Sequence, residues 1–194
     1  MSKRIITISR EFGSGGRYLG ERIAQKLGWD YYDKEMIAKV AEKTGLSQKY
    51  IEEAGEYAPS KNIFAYAFVG RNHTGASLGD YMYAAQREII LEAAEKSNCV
   101  IVGRCADYIL KDREDCLNVF ICGNSEEKVK RIMELYKVSR AEAEKLIKET
   151  DKKRSVNYNY YTEQEWGKAQ NYTMCLNSSD IGYDTCIDMI CNLV

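Results

Sequence analysis

With 194 residues, 45% of them hydrophobic and 29% charged, the chain is long enough to bury a sizeable core in a single domain. Its formal net charge of −1 disfavours a general nucleic-acid-binding protein and a protein drawn to anionic membranes, so any basic site must be local. The sequence has no apolar run of about 18 residues, the length that would predict a membrane span.

The seven cysteines and the single histidine limit the chemistry further. The cysteine count is odd and no CxxC pair occurs, which predicts reduced, mostly buried thiols of a cytosolic protein. The first ten residues, MSKRIITISR, predict a strand rather than a signal peptide. His73 is the only histidine, which excludes a His-rich metal site and disfavours a Ser-His-Asp triad.

Short apolar runs alternate with amphipathic stretches along the chain. The strand candidates are continuous apolar runs, as expected for strands covered on both faces. Asp33 is expected to cap a helix that Gly45 ends, and Ser139 with Glu142 spells a capping box. The predicted strands cover residues 4–9, 29–32, 99–103, 117–122 and 172–176, and the predicted helices cover residues 17–27, 34–43, 47–54, 80–96, 126–136 and 184–193.

This alternation of strands and helices predicts an α/β fold with a parallel sheet in one domain, residues 1–194. Two segments do not fit the rhythm: residues 55–79, and residues 150–171, which are rich in Tyr and Lys. We expect both to lie outside the sheet, where lids and substrate-binding inserts are found.

The first strand runs into a glycine-rich turn, REFGSGGR, that opens a helix. Backbone N–H groups at Gly13, Ser14, Gly15 and Gly16 can form an anion-binding nest ahead of the helix N-terminus. The arginines on either side, Arg10 and Arg17, are the residue type that a polyphosphate selects.

The turn departs from both standard nucleotide-binding spellings. In the pattern GxxxxGK[ST], the lysine slot holds Gly16 and the hydroxyl slot holds Arg17. The pattern GxGxxG fails at Tyr18, although Asp33 follows at the distance of a ribose-binding acid. A glycine turn that binds nothing remains the third alternative at this point.

Several longer stretches resemble the cytidylate kinase-like family, a divergent branch of the P-loop nucleoside monophosphate kinases. They are ISREFGSGGR, YYDKE, AAQREIILEAA, IVGRCADYIL, the Ser-Glu-Glu helix in CLNVFICGNSEEKVKRI, and the closing YYTEQEWGKAQNY. The chain departs from the motifs of these kinases at three places. Cys105 stands where their Gly-Arg-Asp motif has aspartate, and WGKA stands where they have WGDP. The lysine of their phosphate-binding loop is missing.

The resemblance implies a three-layer P-loop kinase fold with a parallel five-stranded sheet in the order 2-3-1-4-5. It also implies an acceptor-binding insert near residues 55–79 and a helical lid near residues 137–171. The implied reaction is phosphoryl transfer from ATP, with Mg²⁺, to a nucleoside monophosphate, most simply CMP or dCMP. The expected partners are small nucleotides, with no nucleic acid and no membrane, and the expected location is the cytoplasm.

Phosphoryl transfer needs cations that converge on the phosphates, and the sequence offers candidates in several segments. Gly13 to Gly16 would hold the donor phosphates, with Arg17 or Arg10 supplying the charge of the missing lysine. Arg104, which follows an apolar strand, is expected to bind the acceptor phosphate. The resemblance adds Gln86 and Arg87 on the acceptor side and Arg131 and Arg154 from the lid side. Asp33 is a candidate for ordering Mg²⁺ or the acceptor. No residue is assigned as a metal ligand, and Mg²⁺ would be held by phosphates and water.

Two other functions remain open from the sequence. A P-loop kinase could act on a different small acceptor, because the aromatic segment 57–73 differs from a recognisable CMP pocket. Alternatively, the absent lysine would fit a nucleotide-binding protein without catalysis.

Overall fold

The computed structural model describes residues 3–45 and 78–194. Within them, five strands form one parallel sheet in the order β2-β3-β1-β4-β5. This order confirms the topology that the family resemblance implies. The strands are β1 (Ile5–Arg10), β2 (Asp30–Tyr32), β3 (Cys99–Val102), β4 (Cys116–Cys122) and β5 (Met174–Asn177).

Helices flank the sheet and connect its strands. The α-helices are α1 (Gly16–Leu27), α2 (Lys34–Thr44), α3 (Leu78–Lys96), α4 (Ala106–Ile109), α5 (Ser125–Tyr136), α6 (Arg140–Thr162), α7 (Ser178–Ile181) and α8 (Tyr183–Cys191). A 3₁₀ turn covers Ala169–Asn171. The structure therefore confirms the helices predicted around residues 17–27, 34–43, 80–96, 126–136 and 184–193.

The central strand β1 is buried on both faces because helices cover both sides of the sheet. Ile6 and Ile8 face a core that includes Leu19 of α1 and Ile190 of α8. Ile5 faces the opposite core with residues of α2 and α3. This three-layer arrangement explains the continuous apolar strand patterns.

A pair of helices, α5 and α6, extends from the carboxyl end of β4. Val129 and Ile132 of α5 pack against Ala143 of α6 in a small core of their own. The Ser139 capping box is present, since its hydroxyl accepts from Glu142 N–H and the Glu142 carboxylate accepts from Ser139 N–H at 2.9 Å. No glycine or proline interrupts residues 140–162, so α6 continues through the first half of the segment 150–171, where the family resemblance implies a helix but the residue pattern alone does not.

One local prediction is wrong. Asp33 stands at the N-cap position of α2, but its side chain makes no capping hydrogen bond because it pairs with an arginine instead. All seven thiols are free and four are buried, in agreement with the prediction of mostly buried thiols, and Cys175 is exposed because it lies on the edge strand β5. The helix predicted at residues 47–54 lies outside the described residues, as do His73 and nearly all of the predicted insert 55–79. Among the described helices, none combines the length and apolar character needed to cross a membrane.

Candidate active site

The turn between β1 and α1 is a glycine loop in the conformation that only glycine adopts easily. Gly13 and Gly15 have φ angles of +87° and +83°. A Cβ on Gly15 would lie 2.5 Å from the ring of Tyr183. Helix α1 begins at Gly16, and no side chain in the described part of the chain caps it. Its first N–H groups can therefore face an anion, as the sequence predicts.

Ser14 contributes its backbone to this loop and uses its hydroxyl internally. The Ser14 Oγ donates to the Glu11 carbonyl at 2.9 Å, and the residue is 1% exposed. Ser178 Oγ donates to the Ser14 carbonyl at 2.6 Å. These bonds hold the loop in shape and leave the Ser14 side chain remote from a ligand.

A buried lysine supports the loop from α5. Lys128 Nζ lies 2.8 Å from Glu11 Oε2 and 4.0 Å from Asp151 Oδ2. The Glu11 carboxylate also accepts from Gly123 N–H at 3.1 Å, and Asp151 Oδ1 accepts from Phe12 N–H at 2.6 Å. The residues before Gly13 are thus tied to β4, α5 and α6.

Sequence reasoning missed this support. Glu11 and Lys128 are 117 positions apart, and no spacing rule relates them. The sequence offered one signal, which is that two of the acidic residues lie close to candidate arginines. Glu11 follows Arg10, and Asp151 lies three positions before Arg154.

A cleft of about 680 Å³ opens beside the glycine loop. It is lined by the loop, the first residues of α1, one face of α5 and two residues of α6. Arg131 projects over two rings here, at 5.1 Å from the centroid of Tyr183 and 5.9 Å from that of Tyr18. The cleft therefore offers N–H groups at one end and a stacked guanidinium at its wall.

A smaller cavity of about 40 Å³ lies at the carboxyl end of the sheet and collects three arginines. Arg10 comes from the end of β1, Arg104 from the turn after β3, and Arg154 from α6. Asn157 and Trp166 also line it, and neither was a sequence candidate. The structure thus brings together three of the predicted cations from three separate segments.

The turn that carries Arg104 has an unusual backbone. Gly103, Arg104 and Cys105 have φ angles of +75°, +59° and +54° in succession. Left-handed conformations cost energy for residues with a Cβ, and they gather at functional sites. This strained turn places Arg104 on the cavity.

Arg154 joins helix α6 to the residues that precede the glycine loop. Its Nη1 donates to the Arg10 carbonyl at 3.2 Å and lies 3.7 Å from Asp151 Oδ1. Its guanidinium also lies 5.5 Å from the ring centroid of Phe12. Arg154 therefore lines both cavities from a fixed position, with its side chain 12% exposed.

A buried acid lies beneath the three arginines. Asp107 Oδ1 accepts from Ser9 Oγ at 3.2 Å, and its Oδ2 accepts from the Tyr158 hydroxyl at 2.7 Å. Burial raises the pKa of Asp107, and these two hydrogen bonds act in the opposite direction. Tyr158 packs inward at 3% exposure, and its hydrogen bond to Asp107 anchors α6 to α4.

Arg17 and Asp33 meet each other at the edge of the large cleft. Arg17 Nε lies 2.6 Å from Asp33 Oδ2, with the Arg17 side chain 53% exposed and the Asp33 side chain 10% exposed. The sequence assigned Arg17 to the donor and Asp33 to the acceptor or Mg²⁺. The structure joins the two as an ion pair between α1 and the end of β2.

Gln86 and Arg87 lie apart from these cavities. Gln86 is 6% exposed on α3, whereas Arg87 is exposed. Neither is among the described residues that line the two cavities. One turn earlier on α3, Tyr83 stacks on Tyr161 of α6 with ring centroids 4.1 Å apart, so α3 and α6 are in contact.

A comparison of the sequence with models of known protein families identifies the family of this chain. The model of the cytidylate kinase-like family matches residues 5–180. The chain belongs to the cytidylate kinase-like family. This result confirms the resemblance carried by the glycine loop and by the closing YYTEQEWGKAQNY.

Solved structures agree with a kinase fold for this cytidylate kinase-like protein. An uncharacterized protein from Eubacterium ventriosum is 30% identical with a TM-score of 0.75, and the match covers 98% of this chain and 97% of that one. Shikimate kinase from Bacteroides thetaiotaomicron is 16% identical with a TM-score of 0.55, covering 97% and 96%. Shikimate kinase from Acinetobacter baumannii, in complex with shikimate, is 14% identical with a TM-score of 0.55, covering 98% and 92%. The two kinases share the fold alone, and no curated protein sequence matches.

The family implies a metal, and the described side chains do not provide a site for one. No group of three or more His, Cys, Asp or Glu in the described residues is placed to hold a metal ion. Ser14 is bonded within the loop, and Asp107 is bonded to Ser9 and Tyr158.

Proposed function

We propose that this cytidylate kinase-like protein transfers a phosphoryl group from ATP to a nucleoside monophosphate, with CMP or dCMP as the first candidates. The observation that carries the proposal is the three-arginine cavity directly beside the glycine loop. Arg10, Arg104 and Arg154 concentrate positive charge where a phosphate-rich reaction develops negative charge.

The lining of the small cavity favours a phosphate as the acceptor. A hydroxyl acceptor needs a base to remove its proton, whereas a phosphate dianion attacks without one. No carboxylate is among the described lining residues of this cavity. Asp107 is buried with both oxygens bonded, and Asp33 is paired with Arg17, so neither acid is placed as a base.

The donor belongs in the large cleft. The N–H groups of Gly13, Gly15 and Gly16 would hold its phosphates, and Arg131 with its two tyrosines would hold its base. The acceptor side would use Arg104 first. Asp33, Gln86 and Arg87 do not line the small cavity, so they would contact only those parts of an acceptor that extend beyond it. The lid, residues 137–171, would contribute Arg154 and exclude water when both substrates are bound.

A steady-state assay tests the proposal directly. The protein is supplied with ATP and with one of CMP, dCMP, UMP, AMP, GMP or shikimate, and ADP formation is measured. We expect turnover with CMP or dCMP above the others. Turnover with shikimate alone would assign a hydroxyl acceptor and contradict the argument from the cavity lining.

A binding experiment separates catalysis from binding alone. Calorimetry with ATP, and with ATP plus CMP, is run beside the turnover assay. Tight binding of both nucleotides with no product would identify a non-catalytic nucleotide-binding protein and overturn the proposed reaction.

Small nucleotides are the only partners in this proposal, and the seven free thiols support a reducing, cytoplasmic site of action.

A further inference from the structure

The side chain of Arg10 follows a path that two glycines keep open. A Cβ on Gly16 would lie 2.5 Å from Arg10 Cβ and 2.9 Å from its Cγ. A Cβ on Gly103 would collide with Arg10 Nη1 and would lie 3.0 Å from its Cζ. The stem of Arg10 therefore crosses the start of α1, and its guanidinium rests against the turn after β3.

This path places Arg10 at the junction of the two cavities. Arg10 and Arg154 line both the large cleft and the small cavity. Among the other candidate arginines, Arg104 lines the small cavity, and Arg17 and Arg131 line the large cleft. A phosphoryl group that moves from a donor in the cleft to an acceptor at the small cavity must pass the junction.

The alternative cation, Arg17, is already engaged. Its Nε lies 2.6 Å from Asp33 Oδ2, and its Nη2 lies 3.4 Å from Asp33 Oδ1. A donor phosphate would have to compete with this carboxylate for the Arg17 guanidinium. Arg17 also lines only the large cleft, away from the junction of the two cavities, so it is placed less well than Arg10 to supply the missing charge.

We propose that Arg10, at the end of β1, is the catalytic cation that replaces the lysine of the standard phosphate-binding loop. This inference rests on the proposed function. In the step it serves, an oxygen of the acceptor phosphate forms a bond to the γ-phosphorus of ATP. The bond from that phosphorus to the β–γ bridging oxygen breaks, and its electron pair stays on ADP. With a dianionic acceptor no proton is transferred, and the products are ADP and the nucleoside diphosphate.

Arg10 would contact the γ-phosphoryl oxygens and hold them through the transfer. Arginine prefers bidentate contact with phosphate and needs an approach different from that of lysine. Entry from the β1 side, across two glycines, provides such an approach. Fixing the guanidinium before the reaction is what makes such a donor effective in the transition state.

The test compares Arg10→Met and Arg10→Lys with Arg17→Met, and it uses Arg22→Met as the matched control because Arg22 lies on the exposed face of α1. Circular dichroism first establishes that each variant is folded. Turnover with ATP and the best acceptor is then measured. Arg10→Met should lose roughly 10²–10³-fold in kcat, the loss typical of removing one preorganised transition-state donor. Arg10→Lys should recover part of the rate, Arg17→Met should lose less than about tenfold, and Arg22→Met should match the wild type.

A second readout does not depend on turnover. Calorimetry without acceptor compares the affinities for ATP and ADP, which differ by the γ-phosphate. The wild type and Arg17→Met should bind ATP more tightly than ADP, and Arg10→Met should lose that preference. If the wild type forms no product with any acceptor, the proposed function is refuted. The comparison of ATP and ADP affinities still tests the role of Arg10 in that case. A wild type without preference for ATP, or an Arg17→Met variant that loses the preference while Arg10→Met keeps it, would overturn the assignment of Arg10.

Discussion

Arg17 Nε lies 2.6 Å from Asp33 Oδ2, and this contact joins the first turn of α1 to the residue that follows β2. The two residues belong to opposite sides of the proposed reaction, one beside the donor loop and one beside the acceptor. Ion pairs with a half-exposed partner contribute little to stability. We therefore expect this contact to matter mainly because it positions the two side chains. We expect it to hold the first turn of α1 in place relative to the end of β2.

A double-mutant cycle with Arg17→Met and Asp33→Asn measures this contact. Because Arg17 is 53% exposed, we expect a coupling in unfolding free energy of no more than about 1 kcal/mol. The acceptor KM should rise in either single variant, since each releases the partner from its position. Urea denaturation gives the coupling and initial rates give KM. An unchanged acceptor KM in both variants would show that the pair does not position the site.

Arg104→Ala tests the acceptor side. The guanidinium of Arg104 lines the small cavity from a turn with three positive φ angles, so its removal should raise the acceptor KM or lower kcat by at least tenfold. The fold should persist, because Arg104 is only partly buried and belongs to none of the three hydrophobic cores. Arg104→Lys should recover less than half of the loss if bidentate contact matters. Kinetics identical to the wild type would remove Arg104 from the site.

Gly15→Ala tests the shape of the glycine loop, with Gly28→Ala as the matched control. Both positions have positive φ, at +83° and +67°, so both substitutions cost about 1–2 kcal/mol of backbone strain. At Gly15 the new Cβ would also lie 2.5 Å from Tyr183, whereas nothing lies within 4 Å at Gly28. We therefore expect the larger loss of stability in Gly15→Ala, and a loss of nucleotide affinity in that variant alone. Calorimetry and thermal melting separate the two effects.

Sequence patterns predicted the sheet and the glycine loop because both depend on local information. Continuous apolar runs identify strands covered on both faces, and Gly13 and Gly15 are required by local backbone angles. The contacts that decide the site are long-range. Two of these contacts depend on how separate segments pack, namely the pairing of Arg17 with Asp33 and the position of Arg10 between the two cavities. Residue spacing in the sequence predicts neither. The continuation of α6 beyond residue 150 was expected only from the family resemblance, because its Tyr-rich half has no clear helical stripe.

Asp151→Asn should change how stability depends on pH. Burial raises the pKa of Asp151 to about 6, although Phe12 N–H, Arg154 and Lys128 act in the opposite direction. In the unfolded chain this carboxyl titrates near ~3.9. Between roughly pH 4 and pH 6 the native state holds the proton more tightly, so this residue makes stability fall as pH rises through that range and stay low above it.

The pKa difference corresponds to an upper limit of roughly 2–3 kcal/mol, reduced by the 18% exposure of the Asp151 side chain. Urea denaturation from pH 4 to pH 8 measures the dependence. Asp107 also has a raised pKa, so Asp151→Asn should remove only part of the slope and Asp107→Asn another part. Superimposable profiles for wild type and Asp151→Asn would contradict the raised pKa.

Lys128→Met tests whether the buried lysine supports the glycine loop. The side chain of Lys128 is 10% exposed, and its removal leaves the carboxylates of Glu11 and Asp151 without their shared cation. Breaking a buried pair by removing one partner is costly, whereas removing both charges is often nearly neutral. We expect Lys128→Met to lose about 1–3 kcal/mol of unfolding free energy. Lys128→Met combined with Glu11→Gln should lose less, since the side-chain amide oxygen in that variant can still accept from Gly123 N–H.

Lys130→Met is the matched control, because Lys130 pairs with Glu127 on the exposed face of the same helix and its loss should leave the melting temperature unchanged. Nucleotide affinity should fall in Lys128→Met and recover in the double variant, since the loop regains its anchors. If Lys128→Met melts like the wild type, or if Glu11→Gln deepens the loss, the ion cluster does not hold the loop. The shape of the glycine loop would then be fixed by its own backbone bonds and by the ring of Tyr183.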